Sequence, residues 1–272
     1  MRTLNNHIII YDDECPMCDL YTRAFVRSKM LDKSGRVAYS EMTALIEQGI
    51  DRERSRNEIA LIDVTTGKVS YGIDSLFTVI GNSFPIFKPL FACGPFRRTI
   101  GKVYAFISYN RKVIVPGKAL NAAKTCAPDF NLKYRIAYIF LAWMLVSATV
   151  HAYARLLVPL VPPGTFMREL ILGGAQIPFQ ILALSFLGRR KLVTYLGNMM
   201  TVAAMGALAL LPVLLSVHLG LALSPIVGAG YLLLIVGLMV LEHMRRVKLL
   251  GITGMATVSW IVYRVLALFV IL

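Results

Sequence analysis

From Tyr134 to the last residue, Leu272, the chain carries only two acids, Glu169 and Glu242, in a succession of long apolar runs. Each run is about 20 residues, the length a helix needs to cross a bilayer core about 30 Å thick. Lipid offers no partner to backbone N–H and C=O groups, so runs of this kind fold as helices that satisfy those groups internally. Five spans are expected, at 135–157, 166–187, 192–216, 221–241 and 252–272. Arg264 in the last of them needs a polar partner or a route to the interface, which makes the bundle one of four or five spans. PLVPPG at 159–164 separates the first two, because proline blocks helix continuation.

The basic residues orient these spans. Lys133 and Arg135 precede the first, Arg189, Arg190 and Lys191 follow the second, and Arg245, Arg246 and Lys248 follow the fourth. All three clusters fall on one side if the first span leaves the cytoplasm. A multi-pass protein of the cytoplasmic membrane is expected, its N-terminal half cytoplasmic. The net charge of +14 is accounted for by these loops and by anionic headgroups. No basic stripe with interleaved aromatics points to nucleic acid.

Residues 1–133 differ in kind, with 19 Lys/Arg and 13 Asp/Glu. The opening, MRTLNNHIIIYDDE, has an apolar run of only four residues before acids, unlike a secretory signal. In a reducing cytoplasm four cysteines are better read as redox-active, metal-binding or inert than as a disulfide framework. Strands are expected at 7–11, 36–40, 59–64 and 68–71. Helices are expected at 15–30, 43–48 and 74–80, with Asp74 as N-cap, and over 86–113 with a break near Gly94-Pro95. The domains are then 1–115, a linker or interfacial segment at 116–134, and a membrane domain at 135–272.

The stretch YDDECPMCDLY, residues 11–21, sits where the first strand gives way to the first helix. Cys15 opens that helix and Cys18 lies one turn along on the same face. Three readings are open. In the redox reading Cys15, the more exposed, attacks a disulfide, Cys18 resolves the adduct, and Asp12 accepts the Cys18 proton. The dithiol is then its own redox group, exchanging with a protein or small-molecule thiol or disulfide. In the metal reading Cys15 and Cys18 hold soft Cu(I) or Zn in a non-enzymatic assembly factor. In the third they are inert. Asp12, Asp13 and Glu14 oppose the helix-end effect and are expected to moderate the Cys15 thiolate.

Strand–helix–strand–helix–strand–strand–helix with C-x-x-C at the first junction is the thioredoxin-like order. Tyr11-Asp12-x-x-Cys15-x-x-Cys18, then IALID, then TTGKVSYG with Gly72-x-Asp74, then Tyr104 and Asn110-Arg111, resembles the DCC family of thiol-disulfide oxidoreductases. The resemblance covers about residues 7–113 and implies a thioredoxin-like α/β domain, here fused to an all-α transmembrane bundle. Two departures stand out. Asp13 occupies a place where family members often have glycine, and RSRNEIALI lacks the proline that thioredoxins set before the third strand.

Elsewhere, Cys93 and Cys126 are weighed as an electron relay to Cys15 and Cys18, against the favoured reading of Cys93 as a core residue and Cys126 as an interfacial thiol. His151 and His218, near the outer ends of spans one and three, are weighed as a shared site for haem or quinone. His243 is placed in the basic inner loop. Gln176 and Gln180 mark the interior side of span two, and Gly173-Gly174 a close helix contact.

Overall fold

The structure is a computed structural model and describes residues 2–117 and 128–272. The chain divides into two compact units, Met1–Tyr134 and Arg135–Leu272.

The first unit is built on a four-stranded mixed sheet. Its strands are β1 (His7–Tyr11), β2 (Arg36–Ala38), β3 (Ala60–Asp63) and β4 (Val69–Tyr71), in the spatial order β2-β1-β3-β4. β1 runs parallel to β2 with Ile10 opposite Val37, and antiparallel to β3 with Ile9 opposite Leu61. The parallel pair needs a crossover, and helix α1 (Pro16–Arg27) supplies it. The apolar run of β1 is buried on both faces. Ile9 packs with Leu61, Val79 and the α1 residues Tyr21 and Phe25, while Ile10 packs on the other face with Tyr39, Met42 and Ile50. Burial of each such side chain contributes about 1.5–3 kcal/mol. Helices α2 (Ala44–Gly49) and α3 (Arg52–Asn57) lead into β3; α4 (Ile73–Ser83), α5 (Lys88–Ala92) and α6 (Gly94–Ile114) follow β4.

Asp74 is not the N-cap of α4. That position belongs to Gly72 at φ +62°, where a side chain would also crowd Glu58 and Tyr104. Asp74 lies in the first turn and takes a bidentate contact from Arg97. α3 was not anticipated, since RERSRN has no apolar period; an Asp51 side chain accepting from the Arg54 N–H starts it.

The second unit is all helical: α7 (Leu132–Ala154), α8 (Phe166–Ala183), α9 (Arg189–His218), α10 (Pro225–Leu249) and α11 (Met255–Ile271). Among the described residues three helical segments, Leu132–Leu157, Arg189–His218 and Pro225–Leu249, are long and apolar enough to cross a membrane. That is fewer than the four or five spans expected. The 18-residue α8 is long enough but carries Arg168, Glu169, Gln176 and Gln180, and the apolar α11, at 17 residues, is the shorter helix. Arg168 and Glu169 take up the first turn of α8, and a chain turn at Leu184–Leu187 ends it early.

Gln176 and Gln180 are buried, as expected of an interior face. A Cβ on Gly174 would stand 2.7 Å from the Trp143 ring, so the two helices meet only because glycine is there. The guanidinium of Arg264 lies over the Trp260 ring. His243 is not in a loop: α10 continues through the basic cluster and buries it. The Tyr195 hydroxyl lies 3.2 Å from both His243 Nε2 and Gln180 Oε1, and His243 Nδ1 lies 3.1 Å from the Thr257 hydroxyl. Arg246 donates to Asn198 Oδ1 at 3.0 Å and to Glu242 at 2.7 Å. Apart from the half-buried Glu242 these groups are buried, and each has a partner among the others, as polar groups within a helix bundle require.

Candidate functional site

β1 ends at Tyr11, and three acids follow before α1 begins. The Asp12 carboxylate folds back to accept from the Glu14 N–H at 3.0 Å, a turn that short acidic side chains favour. Its carbonyl accepts from the Cys15 N–H at 3.1 Å. Cys15 is the N-cap of α1, with extended backbone (φ −103°, ψ 106°) and Pro16 as first helical residue, whose missing N–H costs nothing there. The Cys15 carbonyl accepts from the Asp19 N–H and closes the first helical turn. Cys15 and Cys18 therefore share the opening turn, as the spacing requires, and both are free thiols.

The two sulfurs are unequal. Cys18 gives Cys15 both a side-chain and a backbone hydrogen bond, and despite burial the Cys15 pKa is drawn down to about 7. The same hydrogen bond, with burial, pushes the Cys18 thiol up. Asp12 opposes the Cys15 thiolate and Arg111 favours it. The exposure order is the reverse of the one expected from sequence: Cys15 is fully buried, whereas Cys18 is 7% exposed. Beside Cys15 the chain just after α6 comes back to α1. A Cβ on Gly117 would collide with the Glu14 carbonyl oxygen and stand 3.2 Å from Pro16, the residues on either side of Cys15. Gly117→Val is accordingly expected to displace this segment and speed alkylation of Cys15 by iodoacetamide, followed by peptide mass spectrometry. An unchanged rate would show that the contact does not restrict access.

Each neighbouring acid has its own partner. Asp12, 4% exposed, takes a hydrogen bond from Arg111 Nε at 3.1 Å and lies 3.6 Å from Lys112 Nζ. Burial still raises its pKa, against the pull of both cations. Glu14 pairs with Lys112 at 3.0 Å, and Asp13 accepts from the Ser40 hydroxyl at 2.7 Å. Two of the three negative charges set against the thiolate by their place in the sequence, Asp12 and Glu14, thus have cation partners in space, and the third, Asp13, is held by a hydroxyl. Arg111 is fixed from behind by the Ser108 hydroxyl and by carbonyls of Arg56 and Asn57 at the end of α3.

Cys18, Asp12 and Arg111 border a cavity of about 200 Å³ whose other walls are mainly apolar and aromatic, among them Tyr21, Tyr104, Ile59 and Ile107. The Tyr21 hydroxyl hydrogen-bonds Cys18, and burial holds its pKa well above that of an ordinary phenol. The Tyr104 hydroxyl accepts from the Ile59 N–H at 2.9 Å; burial pushes its pKa up to about 12.

The remaining sequence candidates lie apart. Cys93 is exposed at the N-cap of α6, not in the core: α5 is only five residues long, and Pro95 starts a new helix directly after it. Cys126 and most of the expected linker lie outside the described residues. His151 meets Phe166 edge-on at 5.9 Å, His218 is the exposed last residue of α9, and no hydrogen bond or ring contact joins the two. Among the described residues no three His, Cys, Asp or Glu side chains gather as metal ligands. Arg111, Lys112, Ser40 and Tyr21 were not assigned to the site from the sequence. Only the Asn110-Arg111 pair and Tyr104 carried a signal, through the resemblance.

What these features define is a chain with bilayer-length helices and a separate mixed-sheet unit that holds a buried, electronically unequal dithiol. Comparison with family models, with curated proteins and with solved structures finds no match for it.

Proposed function

We propose that this protein is a membrane-anchored thiol–disulfide oxidoreductase whose N-terminal unit is thioredoxin-like and acts through Cys15 and Cys18. One observation carries the reading: a cysteine at the N-cap of α1, drawn toward the thiolate by its C-x-x-C partner, beside a buried carboxylate held by Arg111. The strand order β2-β1-β3-β4, with β3 antiparallel to β1, supports the thioredoxin-like assignment and the resemblance to the DCC family.

In the reaction the Cys15 thiolate attacks one sulfur of a substrate disulfide. A mixed disulfide forms, and the other substrate sulfur leaves as a thiolate that takes a proton. Cys18 gives its proton to Asp12, whose burial-raised pKa suits it to accept one, and attacks the Cys15 sulfur. The second substrate thiol departs, carrying that proton. The substrate gains two electrons and the protein holds a Cys15–Cys18 disulfide; the reverse sequence oxidises a dithiol.

For the membrane unit, α9 starts at Arg189-Arg190-Lys191 and α10 ends beside Arg245, Arg246 and Lys248. Basic residues at the ends these two helices share support a cytoplasmic-membrane location with those ends, and the N-terminal unit, in the cytoplasm.

Cys18→Ser removes the resolving sulfur and is expected to accumulate mixed disulfides on Cys15, seen on non-reducing gels and by mass spectrometry and absent in Cys15→Ser. Adducts on neither variant, under conditions where wild type cycles between dithiol and disulfide, would sink the reading.

A further inference from the structure

The segment between α4 and α6 exposes apolar side chains that the first unit's own core leaves unused. Ile86 is 82% exposed and Phe87, Leu90 and Phe84 about two-fifths exposed, in succession along one short stretch. Packing explains the arrangement. Phe91 stacks on Phe77 at 4.2 Å with the rings 6° from parallel, and Phe96 joins them. With Phe91 turned inward, the other apolar residues of this turn and helix are left facing out. Lys88 and Arg98 are exposed on the same segment.

Charge gives the second observation. Residues 84–98 hold no acidic residue and three cations, Lys88, Arg97 and Arg98. Asp74, which meets this stretch, is occupied by Arg97. Exposed aromatic and aliphatic side chains among uncompensated cations match the chemistry of an anionic bilayer surface, apolar groups at the acyl boundary and cations at the headgroups. The same chain carries bilayer-length segments, which hold this unit at high effective concentration near lipid.

We infer that residues 84–98 form a docking surface for anionic lipid, independently of any thiol chemistry. Cys93 lies within it, exposed, and reports on it without mutation. The native chain is placed in nanodiscs of phosphatidylcholine alone or with phosphatidylglycerol, and alkylation of Cys93 by neutral PEG-maleimide is followed by peptide mass spectrometry. Alkylation is expected to be slower in the anionic discs. Lys88→Gln and Arg98→Gln should each shift the docked-to-free ratio toward free by about fivefold, and salt should do the same. A reference thiol on the opposite face of the sheet, introduced by Gln48→Cys on α2, should react equally in both discs. Equal Cys93 rates in the two discs would overturn the inference. So would equal protection in both discs and in detergent, the result expected if protein, not lipid, covers the surface.

Discussion

Replacing Arg111 with methionine is expected to destabilise the N-terminal unit by about 3–5 kcal/mol, the cost of leaving a buried charge without its partner. Asp12 and Arg111 are both nearly inaccessible, and Arg111 is the closer of the two cations at the carboxylate, 3.1 Å against 3.6 Å for Lys112. Lys112 is also committed to Glu14, which limits what it can offer in compensation. The loss should depend on pH in a defined sense. Burial already raises the Asp12 pKa, and removing Arg111 removes the larger opposing pull, so the folded variant holds its proton to higher pH still. A group whose folded pKa is raised contributes its stability at low pH and loses it as pH rises through that value. The deficit of Arg111→Met should therefore shrink in acid and widen toward neutrality. Denaturant unfolding, followed by exposure of Cys18 to a thiol reagent, gives the measurement. Adding Asp12→Asn should restore much of the loss, because an amide can be buried where an unpaired carboxylate cannot. A cost below about 1 kcal/mol for the single change, the size of an exposed ion pair, would mean that the contact is solvent-screened and not structural.

The pattern of what could be read from the chain follows from the range of the forces involved. β1, the helix after it and the break at Gly94-Pro95 are set within a few residues, by an apolar run, a proline at N1 and a helix stop, and their places were legible. The dithiol was legible for the same reason, since i and i+3 on one helix are neighbours whatever surrounds them. Its electrostatics were not. Asp12, Asp13 and Glu14 look like a block of charge beside the cysteines, yet their partners Arg111, Ser40 and Lys112 stand 27 to 99 residues away. The order of exposure failed likewise: Gly117, against the residues flanking Cys15, is remote in sequence. In the second unit, hydropathy marks where apolar runs lie but not where helices stop. α10 runs through Glu242–Lys248 because Glu242 and Asn198 partner Arg246, and Tyr195 and Thr257 partner His243. None of these pairings has a local signature except Glu242 to Arg246, one turn apart.

Cys18→Ala tests the chemistry most directly, because it deletes the largest of the effects that lower the Cys15 pKa. In the native protein that pKa is about 7, and the first cause is the hydrogen bond from the Cys18 thiol. Burial acts in the opposite direction. With the thiol donor gone, burial unchanged and the backbone N–H of residue 18 still in place, the Cys15 pKa should rise toward the ordinary thiol value of about 8.5. At pH 7 a group with pKa near 7 is about half thiolate; at 8.5 it is about 3%, so alkylation at neutral pH should fall by up to about fifteenfold. The rate profile should move bodily to higher pH, the native and variant rates converging once both are ionised. Cys18→Ser keeps an O–H donor at the same position and should fall between the two. That ordering, native fastest, serine next, alanine slowest at pH 7, separates a hydrogen-bonded thiolate from one made reactive by the helix end alone. In the latter case the helix N-terminus is untouched by all three side chains, and three coincident profiles would show that Cys18 does not tune Cys15.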